Sequence, residues 1–160
     1  MKGTIVATWI NTCRKIYDNN TVTLAMESVG WKENRIFSPI EDIEDRYVQN
    51  IMEYISESKN ISINELWRTI GKDNIKTFFK DFPAFFEHEN LYSFFRSMFD
   101  VHVEMVKKFK GAKPPIIDIK PISSKKAIFK YNSKREMYDY CLGLIDGSSE
   151  YRSEERDRKS

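Results

Sequence analysis

The sequence predicts an α+β fold, with a mainly helical N-terminal part and a C-terminal part that holds a small antiparallel β-sheet and one long helix. Apolar residues recur at helical spacing through most of the first 109 positions. A Pro-Pro pair at 114–115 then enforces extended backbone, and two short alternating segments follow it. With 160 residues, 41% of them hydrophobic, the chain fits one domain with a sizeable core.

Five helices are predicted ahead of the long one, and they cover 4–17, 21–29, 39–55, 62–71 and 73–82. The third is expected to open at Pro39, because an acidic run at 41–45 follows it. Ser62 begins a capping box for the fourth, and Gly71 is expected to end that helix.

The clearest helix is predicted over 91–109, because one stripe of it is almost wholly apolar. That stripe comprises Leu91, Phe95, Met98, His102, Met105, Val106 and Phe109. A hairpin with strands at 116–120 and 127–131 is expected next. Ser133 is predicted to cap a last helix that stops at Gly147. Residues 1–149 then form the domain, and 150–160 are expected to be a charged linker or a disordered tail.

The net charge and the cysteine content limit which partners and which cell compartment are expected for this protein. A net charge of +2 argues against nucleic acid or an anionic membrane as the main partner. No apolar stretch is long enough to span a bilayer, and the N-terminus lacks the pattern of a signal peptide. Cys13 and Cys141 stand far apart, which fits reduced thiols in a cytoplasmic protein.

His102 is the residue whose position most invites a functional interpretation. It lies on the apolar stripe of the long helix, whereas His88 stands between two glutamates in a loop. Considered alone, His102 is more commonly a core histidine that is hydrogen-bonded to backbone. The alternative is a single axial ligand to heme iron, which needs one nitrogen donor in an apolar setting.

Tyr131, Ser133 and Arg135 are a second candidate group. Two residues that are two apart in extended chain point the same way, so the two hydroxyls and the guanidinium could converge on a pair of carboxylates. Heme propionates are such a pair. The simpler alternative is that Ser133 only caps a helix and Arg135 is a surface charge.

Several motifs together resemble the heme-nitric oxide/oxygen-binding (H-NOX) family, which includes the heme domain of soluble guanylate cyclase. They are MKGTIVATWI at the start, WRTIGKDNIKTF, DVHVEM around His102, the turn at 110–115, and YNSKREMYDYCLGLIDGSS. The resemblance covers residues 1 to about 149. It implies a heme b sandwiched between the two parts of the fold, with His102 as the proximal iron ligand. It also implies that Tyr131, Ser133 and Arg135 bind the propionates and that Pro115 presses on the heme and distorts it.

The resemblance further implies a distal gas pocket. Tyr140 would donate a hydrogen bond to bound dioxygen, and Trp9 and Asn74 would orient it. The remaining heme contacts expected from the resemblance are Ile5, Phe78, Met98 and Leu144. Asp45 is a candidate for a contact that links the N-terminal helices to Arg135. Family members usually continue into two further strands that complete a four-stranded sheet, and here only the charged tail follows.

The function implied is a non-catalytic sensor of nitric oxide, dioxygen or carbon monoxide that signals to a fused or separate output module, such as a chemoreceptor in chemotaxis. A heme peroxidase would want a distal proton carrier, and His88 is poorly placed for that role. A helical module that binds an apolar small molecule or a partner helix would explain the 11 phenylalanines, but not the Tyr131, Ser133 and Arg135 set.

Overall fold

The structure is a computed structural model that describes residues 1–81, 83–88, 90–123 and 125–159, and of residues 85 and 153–159 only the backbone. Its elements are α1 (Gly3–Ile16), α2 (Asn19–Ser28), α3 (Asp45–Lys59), α4 (Ile63–Asp81), a 3-10 turn (Pro83–Phe86), α5 (Leu91–Lys108), β1 (Ile116–Ser123), β2 (Lys126–Asn132) and α6 (Tyr138–Lys159). The predicted α+β class is confirmed.

Two apolar clusters form the interior. The first combines α1, α2, α3 and the first half of α4, and its fully buried members include Val6, Val22, Ile51, Leu66 and Ile70. The second combines the second half of α4 with α5, and its buried members are Ile75, Phe79, Phe94 and Phe95. The two parts of the fold therefore have separate cores.

Helices α4 and α6 belong to both cores and join them. On α6, Tyr140 packs against the first cluster, and Leu144 and Tyr151 pack against the second. The two helices lie close together, since a Cβ added at Gly143 would stand 2.1 Å from the Arg68 carbonyl oxygen. This paired unit carries Asn74 and Tyr140.

Strands β1 and β2 form an antiparallel hairpin that packs on α5. Ile117 pairs with Tyr131, and Ile119 pairs with Phe129. The ring of Phe129 meets Phe95 of α5 edge-on, with 5.3 Å between centroids. In the described part of the chain the sheet consists of these two strands.

The predicted start of the third helix at Pro39 is wrong, because α3 begins at Asp45. The acidic run has another use. The Glu41 carboxylate accepts from the backbone N–H of Ser38 over 2.9 Å and pairs with Arg35 over 3.0 Å. These contacts fold 38–42 into a turn that receives the start of α1, with the Glu41 carbonyl accepting from the N–H of Gly3.

Two predicted glycine stops are also wrong. Helix α4 continues through Gly71 to Asp81, and α6 continues through Gly147 to Lys159. A Cβ at Gly71 would lie 2.2 Å from the Tyr140 carbonyl oxygen, and one at Gly147 would lie 2.5 Å from the Lys72 carbonyl oxygen. Both glycines permit close helix packing instead of ending a helix. Helix α6 thus includes most of the predicted charged tail, whose role as a linker stays a prediction.

Ser133 does not cap α6, which begins five residues later at Tyr138. The Ser133 hydroxyl accepts from the backbone N–H of Arg135 over 3.2 Å. Glu136 then adopts a left-handed conformation with φ of 52°. The segment 133–137 is therefore a turn that presents Ser133 and Arg135 ahead of the helix.

Cys13 and Cys141 are free and buried, and burial raises the pKa of the two thiols to about 12 and about 11. Both stay protonated at neutral pH. Among the described helices, none is long and apolar enough to cross a bilayer.

Candidate functional site

His102 lies on α5 beside the turn that precedes β1. Its Nδ1 is 3.0 Å from the Pro115 carbonyl oxygen, which can only accept, so Nδ1 carries the ring proton. Burial lowers the pKa of His102, opposed by this hydrogen bond, and the ring is neutral at pH 7. Its Nε2 has no hydrogen-bond partner among the described residues, so a lone pair remains for a metal ion.

The part of α5 that precedes His102 contributes to the second core. Met98, one helical turn earlier on α5, packs against the second core. Phe94 is 1% exposed, and its ring lies 4.9 Å from that of Phe95. No group of three or more His, Cys, Asp or Glu side chains that could hold a metal ion occurs in the described part of the chain. Any metal at His102 therefore has to bring most of its own ligands.

Tyr131 and Ser133 are brought together as predicted. Burial raises the pKa of Tyr131, and hydrogen bonds from the Ser133 hydroxyl and the Met137 backbone oppose that shift. Both residues are half-buried at the end of β2. The pair offers two hydroxyl groups at one place on the fold.

Arg135 is held from two sides. Its Nε donates to Asp45 Oδ2 over 2.7 Å, and a terminal nitrogen donates to the Lys113 carbonyl over 3.1 Å. The other carboxylate oxygen of Asp45 pairs with the α-amino group of Met1 over 3.0 Å. The predicted Asp45–Arg135 contact is confirmed, and it links the N-terminal helices to the segment that follows β2.

Asp45 is ionised in this arrangement. Burial alone would raise the pKa of its carboxyl group, but hydrogen bonds and charge from Arg135 and the Met1 amino group lower it below the usual value. A carboxyl with a lowered pKa stabilises the fold above its unfolded pKa, and that contribution is lost as the pH falls through the folded pKa. The contact therefore persists at neutral pH.

A chain of hydrogen bonds joins α1, α4 and α6. The Thr12 hydroxyl donates to Asn74 Oδ1, which directs the amide nitrogen to the opposite side. Asn74 Nδ2 then donates to the Tyr140 hydroxyl oxygen over 3.2 Å. Because this oxygen accepts from Asn74, the phenol proton is available for a third group. Burial raises the pKa of Tyr140, and the nearby donor groups of Asn74 and Trp9 oppose that shift, so the phenol stays protonated.

Trp9 and Trp67 pack around the Tyr140 phenol. Ring centroids lie 5.0 Å apart for Trp9 and Trp67, and 5.4 Å apart for Trp9 and Tyr140. The buried indole nitrogen of Trp9 makes no hydrogen bond of ordinary geometry among the described residues, although it lies near enough to the phenol to lower the pKa of Tyr140. A buried donor of this kind would be satisfied by a small ligand with an acceptor atom.

The remaining predicted residues divide between the two cores. Ile5 packs against the first core, and Phe78 and Leu144 pack against the second. Tyr131 stands close enough to Tyr140 for its charge to raise the pKa of that phenol. The predicted residues thus form three groups, around His102 on α5, around Arg135 after β2 and around Tyr140 on α6.

Thr12 and Trp67 are site residues that the sequence did not reveal. Thr12 follows Trp9 by three positions on α1, a helical spacing that could have suggested a shared face. Trp67 precedes Asn74 by two turns on α4. Nothing in the sequence indicates that either residue meets Tyr140, because the contact depends on how α1, α4 and α6 pack.

Comparison with known proteins decides the family. The sequence profile of the Haem-NO-binding family matches residues 2–157, nearly the whole chain. The chain belongs to this family. Its members are called H-NOX domains in the solved structures that it resembles. No curated protein matches the chain.

Solved H-NOX structures agree in fold. An oxygen-binding H-NOX domain related to soluble guanylate cyclases, solved as its oxygen complex, is 46% identical with a TM-score of 0.86, and the match covers 94% of this chain and 80% of that one. A mutant H-NOX protein of T. tengcongensis is 45% identical with a TM-score of 0.89, covering 94% and 82%. A structure on the mechanism of H-NOX activation gives the same identity, TM-score and coverage.

H-NOX domains bind heme, and the residues of this chain fit that group. A heme brings four equatorial ligands of its own and needs one axial nitrogen, which neutral His102 can offer through Nε2. Its two propionates need donors, and Tyr131, Ser133 and Arg135 supply hydroxyls and a guanidinium. The buried Trp9 donor and the protonated Tyr140 offer two donors to a small ligand that carries an acceptor atom.

Proposed function

We propose that this H-NOX domain is a heme b sensor of dioxygen or nitric oxide, with His102 as the proximal iron ligand. The observation that carries the proposal is the neutral, half-buried imidazole, because its Nδ1–H donates to the Pro115 carbonyl and leaves the Nε2 lone pair free to bind a metal. Heme, when bound, supplies the iron at which the gas binds. The protein residues hold the heme, exclude water and discriminate among gases.

The Thr12–Asn74–Tyr140 chain supports dioxygen as a ligand. Each hydrogen bond in it points the same way, so the phenol proton is directed to a group outside the chain. A heme at this site would supply the iron for dioxygen, and the buried phenol would donate a hydrogen bond to partial negative charge on that ligand. Carbon monoxide and nitric oxide gain less, because they are less polar when bound. The phenol thus favours oxygen over the other two gases.

We further propose that the domain is not an enzyme and works in the cytoplasm through an output module. A phenol with a raised pKa cannot act as a general base at neutral pH, which argues against peroxidase chemistry at Tyr140. The charged part of α6 beyond residue 149 would suit a connection to a fused module such as a chemoreceptor. Binding at the heme would alter the tension on His102 and shift the two cores relative to each other.

Absorption spectra of the ferrous protein test the proposal. Purified protein loaded with heme should give an intense Soret band that moves to a different position with carbon monoxide, nitric oxide and oxygen. A stable oxygen spectrum in air is expected, because Tyr140 donates in a water-poor pocket. Immediate oxidation of the iron in air, together with normal carbon monoxide binding, would show that the domain binds heme but that dioxygen is not its ligand.

Replacing Arg135 by Ala should raise the rate of heme loss. The guanidinium is half-buried and held in place by Asp45 and the Lys113 carbonyl. In the proposed complex it pairs with a propionate, so its removal leaves propionate charge partly unpaired. Loss of one charge-assisted contact costs about 1.5–3 kcal/mol, or roughly tenfold or more in off-rate. Transfer of heme to excess apomyoglobin measures the rate.

Two variants serve as controls for Arg135→Ala. Asp45→Asn keeps the guanidinium but removes the charge that holds it, so a smaller rise in heme loss is expected. Arg68→Ala removes an exposed arginine paired with Asp146 and should leave heme loss unchanged. Equal rates for Arg135→Ala and Arg68→Ala would argue against the propionate role.

Replacing Pro115 by Ala should let the heme become flatter. The rigid proline ring stands at the residue whose carbonyl holds His102, and a methyl group cannot press on a macrocycle in the same way. A crystal structure of each heme-loaded protein measures the distortion. Pro121→Ala, which removes a proline from β1, is the control. Equal distortion in wild type and Pro115→Ala would exclude Pro115 as its cause.

A further inference from the structure

Helices α4 and α6 approach each other closely at Gly71, one helical turn before the Asn74–Tyr140 hydrogen bond. A Cβ added at Gly71 would stand 2.2 Å from the Tyr140 carbonyl oxygen and 3.0 Å from the Leu144 nitrogen. Ordinary contacts of this kind are 3.4–4 Å. Any side chain at position 71 must therefore push the Tyr140 backbone away from α4.

The Tyr140 carbonyl cannot simply turn aside. It lies within α6 next to the Leu144 nitrogen, which is the helical hydrogen-bond partner four residues on. Rotating it would break a bond of the helix. Displacing the whole helix is the cheaper response, and this moves the Tyr140 side chain with it.

Gly71 lies one helical turn before Asn74 on the same face of α4. The two residues approach the same residue of α6, Gly71 at its carbonyl and Asn74 at its hydroxyl. The Asn74–Tyr140 bond is 3.2 Å long, at the upper end of the normal range. A shift of several tenths of an ångström would lengthen it beyond hydrogen-bonding distance.

We propose that Gly71 is a positioning residue for oxygen selectivity, because the absence of a side chain there lets α6 approach α4 closely enough for Asn74 to hold the Tyr140 hydroxyl. This inference rests on the proposed oxygen-binding function. In this proposal Gly71 contacts neither the gas nor the heme. It acts through the distance between two helices.

Oxygen and carbon monoxide off-rates of Gly71→Ala test the proposal. Loss of a neutral hydrogen bond predicts a rise in the oxygen off-rate of roughly fivefold, with a much smaller change for carbon monoxide. In a Tyr140→Phe background, Gly71→Ala should cause no further rise, because the hydroxyl that it misplaces is already absent.

A crystal structure of heme-loaded Gly71→Ala gives a readout independent of gas binding. The distance from Asn74 Nδ2 to the Tyr140 hydroxyl should increase beyond hydrogen-bonding range. An unchanged distance would overturn the proposal. This readout does not depend on oxygen binding, so it applies even if Tyr140→Phe leaves oxygen binding unaltered and the oxygen role of Tyr140 fails. A rise in oxygen off-rate of equal size in the wild-type and Tyr140→Phe backgrounds would overturn it as well.

Gly143→Ala provides a second variant if Gly71→Ala does not fold. Its Cβ would stand 2.1 Å from the Arg68 carbonyl oxygen and would separate the same helices one turn beyond Tyr140. The same selective rise in oxygen off-rate is expected. Failure of both variants to keep heme and helix content would contradict the proposal, since it requires a displacement that the fold survives.

Discussion

Replacing Tyr140 by Phe should increase the oxygen off-rate roughly tenfold or more, because a buried hydroxyl donor contributes about 1–3 kcal/mol to holding a partly negative acceptor. The phenol is protonated, and its oxygen already accepts from Asn74, so its own proton is the one available to the gas. Off-rates of carbon monoxide and nitric oxide should change much less. Stopped-flow measurements on all three gases check the result.

Tyr138→Phe is the matched control for this substitution. Tyr138 begins α6 two residues before Tyr140 and is 50% exposed. The substitution removes the same hydroxyl group from a tyrosine. Its oxygen off-rate should equal that of wild type. If Tyr140→Phe shifts oxygen and carbon monoxide equally, the phenol only shapes the pocket, and the oxygen-sensing proposal falls while heme binding remains.

Replacing His102 by Gly should remove the protein ligand to iron and leave a cavity of imidazole size on α5. The Phe94 and Phe95 packing is independent of the imidazole, so the pocket walls should persist. Heme retention should fall strongly in the variant and recover when free imidazole is added. The Soret absorbance of the desalted protein, with and without imidazole, measures both effects.

His88→Gly is the control for His102→Gly, because His88 is the other histidine of the chain. Its backbone N–H bonds to Phe86, and its ring lies 6.2 Å from that of Phe94, outside the three site groups. Heme content should stay at the wild-type level. An unchanged ferrous spectrum in His102→Gly, or a lost one in His88→Gly, would contradict the assignment of the ligand.

Much of the fold followed from local patterns in the sequence. The stripe that includes Phe95 and His102 predicted α5 within a residue or two, because an amphipathic period is a local property. Pro114 and Pro115 likewise predicted the extended entry to β1. The Asp45–Arg135 contact joins residues 90 positions apart, and Asp45 was a candidate for it only as one member of the acidic run before Arg46.

The two glycine errors share a physical cause. Gly71 and Gly147 look like helix stops in sequence, yet both lie inside helices where a neighbouring backbone leaves no space for a Cβ. Glycine in a helix costs about 1 kcal/mol relative to alanine, and close packing between α4 and α6 offsets it. Thr12 was missed for the same reason, since its bond to Asn74 exists only once α1 and α4 have packed.

In the proposed sensor one neutral histidine, His102, holds heme iron through Nε2. Resonance Raman spectroscopy of the ferrous, gas-free protein tests it directly, because the iron–histidine stretch reports that bond. We expect this band in wild type, its loss in His102→Gly, and its return with an isotope shift when ¹⁵N-labelled imidazole is added. Persistence of the unshifted band in His102→Gly would contradict the account.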